Sequence, residues 1–237
     1  MKNLRTLARV ILICCVSCVK LADPTEFDSG ANAANTYKLG TIPTLYINTK
    51  DSVQIESREN YIWASYWIDD SLGDGSIGSK NNPCSLEIKG RGNGTWIHYE
   101  KKPYRIKLSE KRSLLGMKKN KHFVLLTGVD DQLMGFLKLP VAYELSRRIG
   151  LGWTPEIRHV ELVQNGDYRG LYYLVEKIRV DKDRIDITEQ KDGENNDDLI
   201  SGGYLLEIDN YEGEQQLTFN EGNGQVLRIT YHSLDSL

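Results

Sequence analysis

One segment, residues 84–110, combines backbone freedom and charge in a way that suits a phosphate group. It contains three glycines at alternate positions and three basic side chains, which are Gly90, Gly92, Gly94, Arg91, Lys101 and Lys102. Glycine tolerates backbone conformations that other residues avoid, so the chain can turn here and approach a ligand closely. A tight hairpin with solvated charges would have the same composition. The segment therefore predicts either a phosphate site or an ordinary turn.

The glycine spacing differs from the common nucleotide-binding fingerprints. In the dinucleotide motif the third glycine falls one position later and opens a helix, and a Walker A motif occurs nowhere in this chain. GDGSIGSK at residues 73–80 has the Walker A glycines but reverses the last two residues. A phosphate site in this protein would therefore be of another type.

Two predicted strands flank the glycine segment. Leu86 and Ile88 alternate with charged residues, and Ile106 and Leu108 do the same, which is typical of half-buried strands. Further strands are predicted at residues 42–48, 61–69, 122–128, 159–164, 168–178 and 203–209, and a hairpin around 221–224. Asn165-Gly166 predicts a type I′ turn between two of them.

One substantial helix is predicted after residue 131. Its apolar positions recur every four residues, and they are Leu133, Leu137, Val141, Leu145 and Ile149. Gly150 suits the carboxyl-terminal cap, and Pro140 indicates that the helix kinks or begins near that point. Seven to nine strands with one main helix predict an α+β domain with a mainly antiparallel sheet over residues 39–237.

The amino-terminal residues predict export. A basic start, a short apolar stretch at residues 10–16 and a small residue before Cys18 follow the order of a secretory signal. Cys15-Val-Ser-Cys18 resembles a lipobox, in which Cys18 would carry lipid; cleavage near Ala22 is the alternative. We expect a signal at 1–18, a tether at 19–38, and a protein anchored by lipid at the cell envelope, its only membrane contact.

Composition limits the partners and the cysteine chemistry. With 27% charged residues and a net charge of −3, the chain does not have the basic character of a general nucleic-acid binder. If Cys14 and Cys15 leave with the signal and Cys18 carries lipid, Cys84 remains alone and no intramolecular disulfide can form. We expect Cys84 to be a small buried apolar residue.

Seven blocks of the sequence, taken together, resemble the spore-coat protein H (CotH) kinase family. They are IPTLYINT, LEIKGRGNGTW, KKPYRIKL, LLGMKKNKHFVLL, LKLPVAYELSRRIGLGWTP, VELVQNGDYRGLYYLVEKIRVDKDRIDI and GGYLLEID. The resemblance implies an atypical protein-kinase-like fold, of which this chain would hold the N-lobe and the start of the C-lobe. It also implies ATP- and Mg²⁺-dependent phosphoryl transfer to Ser or Thr of a protein that the sequence does not identify.

The resemblance also implies a set of nucleotide-binding residues. These are Arg91, Lys102 and Lys107 on the triphosphate, Glu144 orienting a lysine, Glu176 and Lys177 at the nucleotide, and Tyr172 or Tyr173 against the base. Each has a simpler explanation. Lys107 would be a solvated strand residue, Glu144 a helical partner of Arg147 or Arg148, Glu176 and Lys177 a cross-strand ion pair, and the tyrosines core.

The family places its catalytic and metal carboxylates in an Asn-x-Asp segment and a later Trp-Asp-x-Asp segment. Neither pattern follows Asp209, and the last tryptophan is Trp153. We therefore assign no catalytic or metal residue and expect a carboxyl-terminally truncated, inactive form that binds nucleotide weakly at best. The alternative is a surface adhesion module that recognises protein or glycan through Trp63, Trp67 and Trp96.

Overall fold

The structure is a computed structural model that describes residues 42–70, 73, 75–129, 136–188, 205–208, 216–220 and 226–231. All of them belong to the unit Thr41–Leu237. The predicted signal, the tether and the lipidation site Cys18 lie outside the described residues. No helix among those described is long and apolar enough to span a membrane.

Ten strands and two helices are described. The strands are β1 Thr44–Thr49, β2 Ile62–Asp69, β3 Cys84–Gly90, β4 Tyr104–Arg112, β5 Asn120–Leu126, β6 Ile157–Gln164, β7 Asp167–Glu176, β8 Leu206–Ile208, β9 Gln216–Asn220 and β10 Val226–Tyr231. The helices are α1 Gly94–His98 and α2 Lys138–Arg148, and a single 3₁₀ turn covers Lys50–Ser52.

Seven strands close into a barrel in the order β1-β2-β3-β4-β5-β7-β6. The closing pair, β1 with β6, is parallel and sets Tyr46 opposite Val163; the other neighbours are antiparallel. Closure leaves neither β1 nor β6 with an unpaired edge. A separate three-stranded sheet has the order β8-β10-β9, which agrees with the predicted hairpin around residues 221–224.

The predicted fold class is wrong. We expected an α+β domain with a mainly antiparallel sheet and one main helix, resembling the N-lobe and the start of the C-lobe of a kinase-like fold. The described part is instead mostly β, with a closed seven-stranded barrel and one helix longer than seven residues. The period-2 pattern located the strands correctly. It carries no information on whether the first and sixth strands meet, because that contact joins residues far apart in sequence.

Alternate residues of the barrel strands point inward and form the core. Fully buried members include Leu45, Ile47, Leu86, Ile106 and Leu162. The β6–β7 turn confirms the type I′ prediction, since Asn165 and Gly166 both have positive φ, 53° and 87°.

Helix α2 packs on the outside of the barrel through a different face from the one that its apolar repeat suggests. Leu139 and Tyr143 contact the cluster of Val124, Tyr173 and Val175. The repeating residues that are described, Leu137, Val141, Leu145 and Ile149, are all more than half exposed. Pro140 falls in the first turn, where its missing N–H is tolerated. Gly150, at φ 76°, caps the helix as predicted.

The glycine segment contains a short helix, and one of its glycines makes room for a side chain of the protein itself. Trp96 of α1 lies so close to Gly90 that a Cβ at that position would be 2.5 Å from two ring atoms. Lys102 holds the helix in place, because its Nζ donates a 2.6 Å hydrogen bond to the Trp96 carbonyl. The absence of a side chain at Gly90 therefore lets α1 fold back over the end of β3.

We predict that Gly90→Ala lowers the free energy of unfolding by about 1–3 kcal/mol, because the new methyl group overlaps the Trp96 ring. Gly94→Ala is the matched control, since the nearest atom to its Cβ would be 3.7 Å away, and it should cost nothing. Urea unfolding followed by circular dichroism measures both. Equal stability of the two variants would show that Trp96 does not occupy this position.

Candidate functional site

The outer surface of β3, β4 and β5 carries a row of basic side chains. The register pairs Lys89 with Arg105, and in the next outward row pairs Lys107 with Glu87 and His122. These positions face outward because the residues between them, such as Ile88 and Ile106, are buried in the barrel. The sheet register therefore brings charges from separate strands onto one surface.

The basic groups gather around the ring of Tyr61. Lys89 Nζ lies 4.7 Å from the ring centroid, Lys107 Nζ 5.9 Å, and the Arg105 guanidinium carbon 6.0 Å. Lys177 joins them at the end of β7, where its backbone N–H donates to the His122 carbonyl. We call Lys89, Arg105, Lys107 and Lys177 the cationic face.

Positive charges crowd one another on the cationic face. Burial lowers the pKa of Lys89, and the neighbouring charges of Arg105 and Lys177 lower it further. Glu87 compensates part of the charge through a 2.8 Å ion pair with Lys107. Lys89 also donates a 3.3 Å hydrogen bond to the Glu59 carbonyl. An anion bound at this face would favour the protonated, charged form of Lys89 and so raise its pKa again.

A pocket of about 340 Å³ opens beside the cationic face, at the end of β4 and β5 nearest the glycine segment. It is lined on its apolar side by Leu126, Leu139 and Tyr173, and it contains the cations Arg91 and Lys138 and the hydroxyls of Thr95 and Thr127. Pro103, which lines the pocket, directly precedes β4, and Arg105 and Lys107 follow at alternate positions, so Pro103 and Lys107 lie about 13 Å apart along the chain.

The structure brings together some of the predicted site residues. Lys107 and Lys177 lie on the cationic face, and Arg91 lies in the pocket. Of the two candidate tyrosines, Tyr173 lines the pocket, whereas Tyr172 is in the barrel core and donates a 3.1 Å hydrogen bond to the Lys102 carbonyl. The predicted arrangement around the nucleotide is thus spread over the pocket, the face and the core.

Glu176 has a buried partner in the segment that follows β7. Its carboxylate lies 2.9 Å from Arg184, and both side chains are almost fully buried. Glu176 also accepts a 3.1 Å hydrogen bond from the Glu156 N–H, and Arg184 reaches Asp181 at 3.1 Å. This network fixes the chain directly after Lys177, so Glu176 positions the end of the cationic face from inside the barrel.

Glu144 lies apart from the cationic lysines. It pairs with Arg148 at 2.8 Å and with Arg147 at 3.8 Å on the exposed side of α2. The hydrogen bond from Arg148 is the main reason why its pKa is lowered. In this arrangement Glu144 orients arginines of its own helix.

Sequence reasoning missed Lys89, Arg105 and Tyr61. The signal was present, because Lys89 and Arg105 have the same outward phase on their strands as Lys107. Recognising this signal required the strand register, because only the pairing of Lys89 with Arg105 shows that the two charges lie side by side on the sheet. Tyr61 precedes β2 and gave no periodic signal of its own.

The comparison with protein families agrees with the sequence blocks. A family model described as CotH kinase protein matches residues 88–231, which is more than half of the chain. The chain therefore belongs to the CotH family, which confirms the resemblance. A search of curated proteins gives no match.

A magnesium site is the other feature that this family implies. Across the described ranges, no group of three or more His, Cys, Asp or Glu side chains could hold a metal ion. The residues that define the cationic face are lysines and an arginine, whose ammonium and guanidinium groups do not ligate Mg²⁺, so the chemistry that we assign to this face is the binding of anions.

We predict that Arg184→Met lowers the free energy of unfolding by about 3–5 kcal/mol, because it leaves the Glu176 carboxylate buried without a cation. Urea unfolding measures the change. The control is Glu144→Gln, which breaks exposed ion pairs and should change the free energy of unfolding far less, because exposed pairs contribute little to stability. A cost for Arg184→Met as small as that of the control would contradict the buried pair.

Proposed function

We propose that this CotH-family protein is a kinase homologue that binds the polyphosphate of ATP on the cationic face. The observation that carries the proposal is the convergence of Lys89, Arg105, Lys107 and Lys177 on one outer surface of the barrel. Cationic side chains bind phosphate through charge-assisted hydrogen bonds, which are stronger than neutral ones. Family membership supports the choice of a nucleotide among anions.

The pocket next to this face suits the base. Tyr173, Leu126 and Leu139 form its apolar wall, and Arg91 and Lys138 add two cations to its lining. A nucleotide with its base in the pocket would extend its phosphates along β4, past Arg105 toward Lys107. This orientation uses the apolar and the charged parts of the surface at the same time.

Phosphoryl transfer to a protein Ser or Thr, which the family name implies, needs carboxylates for metal and for the incoming hydroxyl. The described residues supply no such cluster. We therefore assign the cationic face the binding and orientation of the nucleotide and no chemical step. Lipid anchoring through Cys18 at the cell envelope belongs to the same proposal.

A second candidate function rests on the aromatic residues of β1 and β2. Tyr46 and Trp67 stack with their ring centroids 4.6 Å apart, and Trp63, on the same outward side of β2, is 61% exposed. Such a surface is suited to stacking against a glycan or an apolar protein segment. Trp96 does not belong to it, because its ring lies against Gly90 and Tyr104.

We predict that the double change Arg105→Gln with Lys107→Gln weakens ATP binding at least tenfold, because two phosphate contacts are lost. Titration calorimetry of the full chain with ATP, at low and high salt, measures the effect; binding to the wild type should weaken as salt rises. Lys50→Gln, which removes one positive charge from the 3₁₀ turn, is the control for charge loss away from the cationic face and should bind as the wild type does.

The same titration separates the two candidate functions. Trp63→Ala should leave ATP binding unchanged, and in a glycan-array assay it should reduce binding only if the aromatic surface is functional. A wild-type protein that shows no heat with ATP, or a double variant that binds it normally, would refute the nucleotide proposal.

We predict that Lys89→Met stabilises the ligand-free protein while weakening ATP binding. The lowered pKa means that protonated Lys89 disfavours the folded state, so the variant should be more stable at pH 7. The difference should narrow as the pH rises through the lowered pKa toward the ordinary lysine value of about 10.4, because wild-type Lys89 then loses its proton. Methionine removes the charge and keeps an unbranched side chain of similar length.

Urea unfolding at pH 7 and at pH 10, with the ATP titration, measures both effects. Lys50→Met is the control for adding a methionine and should change neither quantity. A Lys89→Met protein that is less stable than the wild type at pH 7, and that binds ATP equally well, would show that the charge of Lys89 has no role in anion binding.

A further inference from the structure

Helix α2 presents a strip of large apolar side chains to solvent. The strip consists of Leu137, Val141, Leu145 and Ile149, which recur every four residues and are 56–63% exposed. Side chains four positions apart lie on one side of a helix, so the strip runs for about 18 Å along α2 and its two flanking residues. A contiguous apolar patch of this kind on a surface marks a contact with a protein or a membrane.

The contact with the barrel leaves this side of α2 open. Leu139 and Tyr143 pack against the outside of the barrel, and within the described part of the chain no residue of α2 is buried. Since a helix turns about 100° per residue, Leu139 and Tyr143 lie on the side opposite Val141. The strip therefore points away from the barrel and is available to a second surface.

Two cations mark the ends of the strip. Lys138 precedes Val141 by three residues and Arg148 follows it by seven, so both lie on the same side of α2 as the strip, in its first and last turns. Arg148 pairs with Glu144 at 2.8 Å, but both side chains are well exposed, so replacing that partner by another anion costs little. The helix carries three basic residues and one acidic residue, whereas the whole chain has a net charge of −3. The exposed side of α2 is thus apolar along its length and basic at both ends.

The positions of the cations distinguish among partners. If two copies met antiparallel through the strip, whose centre is at residue 143, each Lys138 would lie opposite the partner's Arg148, and parallel copies would set Lys138 against the partner's Lys138. Like charges that meet in an interface disfavour it. The surface of a bilayer with anionic lipids fits instead, because its phosphates lie above its acyl chains. Lysine and arginine reach the phosphates on flexible stems while apolar side chains enter the acyl boundary.

We propose that α2 docks on the surface of a bilayer that contains anionic phospholipids. The strip enters the boundary of the acyl chains, and Lys138 and Arg148 contact lipid phosphates. Eleven residues are too few to cross a bilayer, so the helix lies in the plane of the interface. This contact adds to the lipid at Cys18, which we expected to be the only one, and it does not depend on the nucleotide proposal.

The test follows hydrogen exchange of the full chain by mass spectrometry, with vesicles of phosphatidylglycerol and phosphatidylethanolamine, with vesicles of phosphatidylcholine, and without lipid. We expect peptides from residues 137–151 to exchange at least threefold more slowly with the anionic vesicles, and this slowing to shrink with phosphatidylcholine and at high salt. Peptides from β2 should not change. Attachment through the predicted signal at residues 1–18 would not slow exchange in α2, so this local readout is independent of it.

Matched variants assign the slowing to the strip and to its charge. Val141→Gln with Leu145→Gln should abolish it and, because both side chains are exposed, should unfold at the same urea concentration as the wild type. Arg148→Gln should reduce the slowing by the anionic vesicles at least twofold. Val53→Gln, which removes an exposed valine elsewhere on the protein, should keep the full effect. Lys138 stays unchanged in these variants because it also lines the pocket assigned to the base.

Three results would overturn the proposal. The first is unchanged exchange of residues 137–151 with the anionic vesicles, or equal slowing by phosphatidylcholine. The second is slowing by a higher protein concentration without lipid, which would show that a second copy covers the strip. The third is slowing by polyglutamate to the same extent as by the anionic vesicles, which would point to an acidic protein partner.

Discussion

The parallel pairing of β1 with β6 is the constraint on which the rest of this structure depends. It converts a strip of antiparallel strands into a closed barrel and fixes, for every strand, which residues point inward. Asn165 contributes to it twice. Its left-handed backbone makes the β6–β7 turn, and its side-chain carbonyl accepts a 2.9 Å hydrogen bond from the Thr49 N–H at the end of β1.

Closure also explains how much of the fold the sequence could predict. Strands, the Asn-Gly turn and the cap at Gly150 depend on residues close in sequence, so their patterns were sufficient. The contact between β1 and β6 joins residues more than 100 positions apart, for example Tyr46 with Val163, and no local pattern records it. The apolar repeat also could not predict which face of α2 packs on the barrel. Leu139 and Tyr143 make that contact, and neither belongs to the repeat.

The candidate site was partly predictable for the same reason. Side chains fill the barrel interior, so ligands can bind only at its outer surface and its ends. Whether a basic residue in a strand belongs to a binding site therefore depends on which side chains lie beside it on the neighbouring strands. Lys107 could be named from the sequence, but its companions Lys89 and Arg105 needed the register. For Gly90 the sequence suggested the wrong role. The glycine was predicted to bring the backbone close to a phosphate, but the absence of a side chain there makes room for the Trp96 ring.

The cationic face contains groups that stability alone would not select. Burial lowers the pKa of Lys89, and the neighbouring positive charges of Arg105 and Lys177 lower it further. This arrangement disfavours the ligand-free protein, and an anion bound at the face would relieve it.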